Sequence, residues 1–365
     1  MSHVLVIGGG IIGCAAAWEL TRRGARVTLA EPRPIAGGAS QASAGMLAPH
    51  TEGRHDASMH ALGLRSLAMY DDFVATLRDE GQQFIYSRTG SLDIALTDED
   101  ARQLEMIARN AAPDTGCEFI DAGGVRSLEP AVTRKARGGL RIPSHGFVDV
   151  VGLVRGLWTS ASRRGARLEP SPVRGVEPSK GSVRAVLDAG QQEYTHVVVA
   201  AGAWAGTIDI AGVPALPVRP VRGQLLALTW STVPPRHTLW GPRCYAVPWS
   251  DGTLLVGATV EEVGFEEQAT AAGVQQLLNA VTELAPPAAS AAFLGARVGL
   301  RPGTPDDRPI VGRSEQIPGL IYATGHYRNG ALLAPLTAVI VADLVEGRTP
   351  DDVWEPCRPS RFGAY

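Results

Sequence analysis

The chain has 365 residues, 45% hydrophobic and 19% charged, a length suited to two packed units and a composition that excludes a disordered chain. Its 34 basic and 37 acidic side chains leave a formal charge of −3, without the basic surplus that a nucleic-acid or anionic-membrane binder needs. Lys135 and Lys180 are the only lysines, an arginine bias that reads as base composition rather than function. Four scattered cysteines, Cys14, Cys117, Cys244 and Cys357, show no CxxC and no histidine at zinc spacing. That argues against a disulfide framework and a metal site, and for a reducing, cytosolic compartment.

In chain order, His3–Ile7 reads as a buried strand, Gly8–Gly10 as a tight turn and Ile11–Arg23 as a helix capped by Gly24. Arg26–Ala30 is a second strand ending at Glu31. A small-residue segment, Gly37–Met46, follows without regular periodicity. Asp56–Glu80 and Glu99–Ala111 read as helices, as does Val150–Arg164. Strands are expected near Arg167–Val176 and Val183–Leu187, and the continuous apolar run Thr195–Ala200 suits a parallel strand covered on both faces. Gln224–Thr229, Tyr245–Trp249 and Thr253–Ala258 read as antiparallel strands, with Asp251-Gly252 a hairpin signal. Ala271–Leu284 is helical, Leu320–Ala323 a strand, and Asn329 to Glu346 the closing helix. Leu332–Val345 is the longest apolar stretch near the end, too short and too polar to span a bilayer because of Pro335, Thr337 and Asp343. Val4–Ile12 lacks the basic flank of a targeting signal. A soluble protein is expected. The pattern predicts an α/β fold, α+β overall, in which a Rossmann-like nucleotide domain is interrupted by a domain with an antiparallel sheet.

Gly8, Gly10 and Gly13 form a GxGxxG turn between strand and helix: the first permits the turn, the second a close pyrophosphate, the third tight helix–strand packing. The helix N-terminus would offer unpaired N–H groups and a partial positive charge to the phosphates. Glu31 stands where a carboxylate accepts from ribose hydroxyls, which disfavours a 2′-phosphate. The fingerprint leaves NAD and FAD both open.

Gly8–Gly13, then Ala44-Gly45-Met46-Leu47, then Gly299-Leu300-Arg301-Pro302-Gly303-Thr304-Pro305-Asp306, then Gly325-His326-Tyr327-Arg328-Asn329-Gly330 resemble the D-amino-acid oxidase superfamily of flavoproteins. The resemblance is strongest to its bacterial glycine oxidase branch, associated with thiamine biosynthesis, and runs from the first strand to the last helix. It implies a non-covalent FAD, oxidative deamination of glycine and other small amines with dioxygen as acceptor, and a homotetramer. It also implies a thiazole synthase as a partner. Carried over by position, Ile11, Ile12, Glu31, Ser40, Ala44, Gly45, Met46, Val173, His326, Tyr327, Arg328, Asn329, Gly330, Ala331 and Leu332 would line the FAD. Arg301, Tyr245 and Arg328 would face the substrate. On this basis residues 1–83, 146–220 and 298–365 are expected to bind FAD, and 84–145 and 221–297 the substrate. Pro32-Arg33-Pro34 stiffens the turn after Glu31, and Ala39 lacks a hydroxyl that the family can carry there. Cys357 lies well past Asn329 and is expected at the surface.

Amine oxidation by hydride transfer needs a neutral amine, a fixed carboxylate and a Cα–H over the flavin. Arg301 is the candidate clamp, since a guanidinium can grip both carboxylate oxygens; Gly299, Pro302 and Gly303 suggest a rigid bend presenting it. From the residues alone, an ion pair with Asp306 or Asp307 is an equal alternative. Tyr245 could donate a second hydrogen bond, although strand tyrosines more often serve packing. Neither His50 nor His326 is assigned as a base, and no catalytic side-chain acid or base is expected. The alternatives are a D-amino-acid dehydrogenase or sarcosine-type oxidase on the same fold, a non-catalytic dinucleotide sensor, and a plain NAD-dependent dehydrogenase.

Overall fold

The strand His3–Ile7 divides its side chains by parity, as a strand covered on both faces must. Val4 and Val6 enter a helical core, while Leu5 and Ile7 enter a separate cluster on the opposite face. In the computed structural model, which describes residues 2–112, 115–230, 234–350 and 352–365, this strand lies inside a six-stranded sheet. The order is Ile310–Arg313, Leu320–Thr324, His196–Val199, His3–Ile7, Arg26–Ala30 and Arg167–Glu169, parallel throughout except for the first pair. The helices Ile11–Arg22, Val150–Arg163 and Gly330–Val345 cover one face. A four-stranded sheet that includes Val173–Ser179 and Ser182–Leu187 covers the other.

The interrupting region forms an eight-stranded sheet: Ala292–Gly303, Arg219–Thr229, Thr253–Gly257, Tyr245–Pro248, Thr238–Trp240, Ser91–Ala95, Gly138–Ile142 and Glu118–Asp121. Its neighbours are antiparallel apart from Thr238–Trp240 against Ser91–Ala95. Period-2 alternation again sorts the side chains: Leu226, Leu228, Leu254 and Val256 pack under the helix Ala271–Leu284. Leu225, Ala227, Tyr245, Val247 and Leu255 lie on the opposite face.

Several expectations need correction. Arg301 does not sit on a bend but inside the twelve-residue strand Ala292–Gly303. Pro302 is tolerated there because this is an edge strand, where a missing N–H costs least. Positions 220/221 and 297/298, where the two regions are expected to meet, lie inside paired strands. The single helix expected over Asp56–Glu80 is two, Ala57–Ala68 and Tyr70–Asp79, meeting at Met69. Cys357 is no surface thiol: it is 2% exposed, in the core with Trp354.

Candidate active site

One end of a cleft of about 850 Å³ lies over the first βαβ turn. Gly8 has φ +110, and a Cβ there would sit 2.4 Å from the Ala200 carbonyl oxygen, so only glycine lets the two strand ends approach. The Glu31 carboxylate accepts from the backbone N–H of Gly9 at 2.7 Å and of Arg33 at 2.8 Å. These fix its position and leave lone pairs for further donors. Not every first-turn N–H is open, contrary to expectation: Ile11 donates to Ser40 Oγ at 3.0 Å. The Ser40 hydroxyl proton then remains available to the cleft. Arg33 stacks over Trp204, 4.8 Å from the ring centre, and pairs with Glu267.

The middle of the cleft is met by the helix Gly330–Val345, whose first residues Gly330 and Ala331 line it. Pro335 lacks the N–H that would bond the Ala331 carbonyl. The buried Tyr70 hydroxyl supplies the missing donor at 2.6 Å, and Ser66 Oγ donates to the Leu332 carbonyl at 2.6 Å. The bend at Met69 lets both side chains reach this helix. Gly45, at φ +71, passes so close to the chain that a Cβ would lie 1.8 Å from the Val148 carbonyl oxygen. Tyr327 has φ +46, unusual for a residue with a side chain, and its N–H donates to the Pro302 carbonyl at 3.1 Å. That bond ties the loop before the last helix to the strand that carries Arg301. His326 Nε2 contacts Thr337 Oγ1 at 3.0 Å, and burial lowers its pKa to about 3. Its imidazole is therefore neutral and engaged within the fold.

At the far end Tyr245, Arg301, Arg328 and Glu52 converge. The Arg301 guanidinium crosses Gly223 on the neighbouring strand and donates to the Thr259 carbonyl at 3.0 Å. The Tyr245 ring crosses Gly257 in the same way, with its hydroxyl within hydrogen-bonding reach of Arg301. Burial pushes the Tyr245 phenol up to about 12, so it stays a donor at neutral pH. Arg328 holds Glu52 by two contacts, Nε to Oε2 at 3.0 Å and Nη2 to Oε1 at 3.2 Å. Burial pushes the Glu52 carboxyl up, and the Arg328 and Arg301 guanidiniums pull it back only in part.

The cleft has six arginines, and five are committed to carboxylates. Arg33 pairs with Glu267, Arg54 with Asp93, Arg174 with Asp188, Arg243 with Glu283 and Arg328 with Glu52. Among the described residues Arg301 alone of these has no carboxylate partner. Asp306 instead pairs with Arg361, and Asp307 lies 4.0 Å from Arg219.

Gly8, Gly10, Ile11, Ile12, Glu31, Ser40, Ala44, Gly45, Met46, Val173, His326, Tyr327, Arg328, Gly330 and Ala331 all line this cleft, with Tyr245 and Arg301. Gly13, Asn329 and Leu332 do not. Gly13 lies under the turn, where a Cβ would be 1.9 Å from the Gly8 carbonyl oxygen. Asn329 precedes the last helix, and Leu332 is buried in the helical core. His50 is also absent from the lining: its ring meets His60 at 3.0 Å. Sequence reasoning missed Glu52, Gly223 and Gly257.

Residues 3–344 match the FAD dependent oxidoreductase family. The chain belongs to that family. It is 35% identical over 355 residues to the bifunctional protein ThiO/ThiG of Nostoc sp., covering 95% of this chain and 53% of the relative. The chain spans about half the length of the three ThiO/ThiG relatives it matches. The crystal structure of glycine oxidase from Geobacillus kaustophilus superposes with a TM-score of 0.93 at 31% identity, covering 99% of both chains. The iminodiacetate oxidase of Chelativorans sp. gives 0.88 at 30% identity over 98% of both. As in other FAD dependent oxidoreductases the cofactor is FAD, and the residues present suit it. The close Gly8 turn and the Ser40 hydroxyl fit a pyrophosphate, the anchored Glu31 a ribose, and the helix N-terminus a ring that gains negative charge on reduction. Among the described residues no helix is long and apolar enough to cross a membrane, and no group of three or more His, Cys, Asp or Glu could hold a metal.

Proposed function

We propose that the protein is an FAD-dependent amine oxidase that deaminates glycine and other small amines, including sarcosine and small D-amino acids. Overall, glycine, dioxygen and water give glyoxylate, ammonia and hydrogen peroxide. The reading is carried by Arg301, the cleft arginine with no carboxylate partner among the described residues, set beside a buried phenol. A substrate carboxylate would complete the ion pair that Arg301 lacks, and Tyr245 would donate a further hydrogen bond to it. FAD, when bound, supplies the acceptor for a hydride from the substrate carbon and passes two electrons on to dioxygen.

The protein's own residues bind and orient. Arg301 and Tyr245 hold the carboxylate, while Gly8, Gly10, Ile11, Ile12, Glu31, Ser40 and Val173 hold the dinucleotide portion. Ala44, Gly45, Met46, His326, Tyr327, Arg328, Gly330 and Ala331 would flank the ring. The positive end of the helix Gly330–Val345 favours negative charge developing beside it. No side chain is assigned as a base: His326 is neutral and bonded to Thr337, and hydride transfer from a neutral amine needs none.

Residues 1–83, 146–220 and 298–365 are assigned to FAD, and 84–145 and 221–297 to the substrate, with Arg301 on a strand that joins them. The four free cysteines suit the cytoplasm. Imine that escapes hydrolysis feeds thiazole formation through a thiazole synthase partner, as the bifunctional ThiO/ThiG relatives suggest, and the assembly is a homotetramer on the strength of the family resemblance. Peroxide release in air with glycine, sarcosine and D-alanine tests the oxidase. Turnover only with a quinone acceptor would make it a dehydrogenase instead.

A further inference from the structure

Glu52 is a buried carboxylate beside the arginines of a site that should receive a substrate carboxylate, which calls for a reason. It lies on the short helix Pro49–Glu52, with its side chain 10% exposed. Both sides of the segment are anchored to the strand Ser91–Ala95. The His50 N–H donates to His145 Nε2 at 3.2 Å, so His145 carries its proton on Nδ1 and donates to Ser91 Oγ at 2.8 Å. Thr51 Oγ1 and Arg54 Nη2 both donate to Asp93 Oδ2, at 3.3 and 2.6 Å. Glu52 is thus held against Arg328 by the fold and not by chance of rotamer. With Arg54 paired to Asp93 and Arg328 to Glu52, Arg301 is the guanidinium at the substrate end left without a carboxylate among the described residues.

We propose that Glu52 is a specificity-determining residue: by occupying Arg328 it tunes the site to an amine bearing one carboxylate and turns away one bearing two. This rests on the amine-oxidase reading. A second substrate carboxylate would be desolvated beside Glu52 with no free cation among the described residues to receive it, and a buried charge without a partner is strongly disfavoured. Removing the Glu52 charge frees Arg328, a planar donor suited to gripping that second carboxylate.

The test uses FAD-loaded protein and two ligands that cannot be oxidised as amines, glycolate with one carboxylate and oxydiacetate with two. Dissociation constants are read from the perturbed visible flavin spectrum. The wild type should prefer glycolate. Glu52→Gln should shift the affinity ratio toward oxydiacetate by about tenfold or more, equivalent to about 1.4 kcal/mol. Arg328→Gln should weaken both ligands, and the double variant should return the ratio close to wild type because the charges of Glu52 and Arg328 are then both gone. A Glu52→Gln ratio that stays at the wild-type value, or a double variant that does not restore it, overturns the proposal. Should Glu52→Gln not retain FAD, Glu52→Ser removes the same charge and is decided by the same two outcomes. The readout needs no turnover: a protein that binds glycolate yet is not reduced by glycine refutes the amine-oxidase reading and still returns a charge-selection result.

Discussion

The guanidinium of Arg301 occupies the space a side chain on Gly223 would need: a Cβ at Gly223 would lie 2.4 Å from both Nη1 and Nη2. Gly223 pairs with Gly299 on the strand that carries Arg301, two positions from the Val221–Arg301 pair, so the long side chain crosses to it diagonally. Gly223→Ala should push the guanidinium aside. A displaced charge-assisted contact is worth about 1.5–3 kcal/mol, so the apparent KM for glycine should rise roughly ten- to a hundredfold, with FAD still bound. Arg301→Ala should raise it further. Steady-state kinetics checks both, and an unchanged KM in Arg301→Ala would remove that residue from the role.

Tyr70 compensates for Pro335. Its hydroxyl takes the Ala331 carbonyl that a proline four residues on cannot satisfy, in a site where Tyr70 itself is fully buried. Tyr70→Phe would leave that carbonyl unpaired and should cost about 1–3 kcal/mol in denaturant unfolding. Ser66→Ala, which strips the donor from the Leu332 carbonyl, should cost a similar amount.

Asp56 caps the helix Ala57–Ala68 through the N–H groups of Ser58 and Met59 and also accepts from Arg308 Nε at 2.7 Å. Burial works against its ionisation, yet the Arg308 and backbone hydrogen bonds outweigh it and hold the carboxyl below its ordinary value. A depressed carboxyl contributes stability in full above its unfolded pKa of about 3.9 and loses it as pH falls through the folded value. Asp56→Ala should therefore cost about 1 kcal/mol at neutral pH. The gap to wild type should close as unfolding is measured at successively lower pH beneath about 4.

The nucleotide half is legible in the chain because its signals are local. Gly8, Gly10 and Gly13 are spaced for one turn, and Val197–Val199 are apolar on both faces of their strand. The substrate half is written less locally. Gly299, Pro302 and Gly303 disguise an edge strand as a bend, because strand pairing overrides their weak propensity. Glu52 lies in a four-residue helix with no periodicity to mark it, and its partner Arg328 is 276 positions away. Gly223 and Gly257 look like ordinary strand glycines until the side chains that cross them are placed. Resemblance pointed to Arg301 and Tyr245, but what sets their charge and room comes only from residues brought together in three dimensions.

The central claim is that this cleft oxidises a small amine held by its carboxylate. The most direct test is to add glycine anaerobically to the FAD-loaded protein and follow the visible flavin band. The account predicts bleaching, with recovery and peroxide formation once air is admitted. A band that stays unchanged at saturating glycine, in protein that binds glycolate, would contradict it.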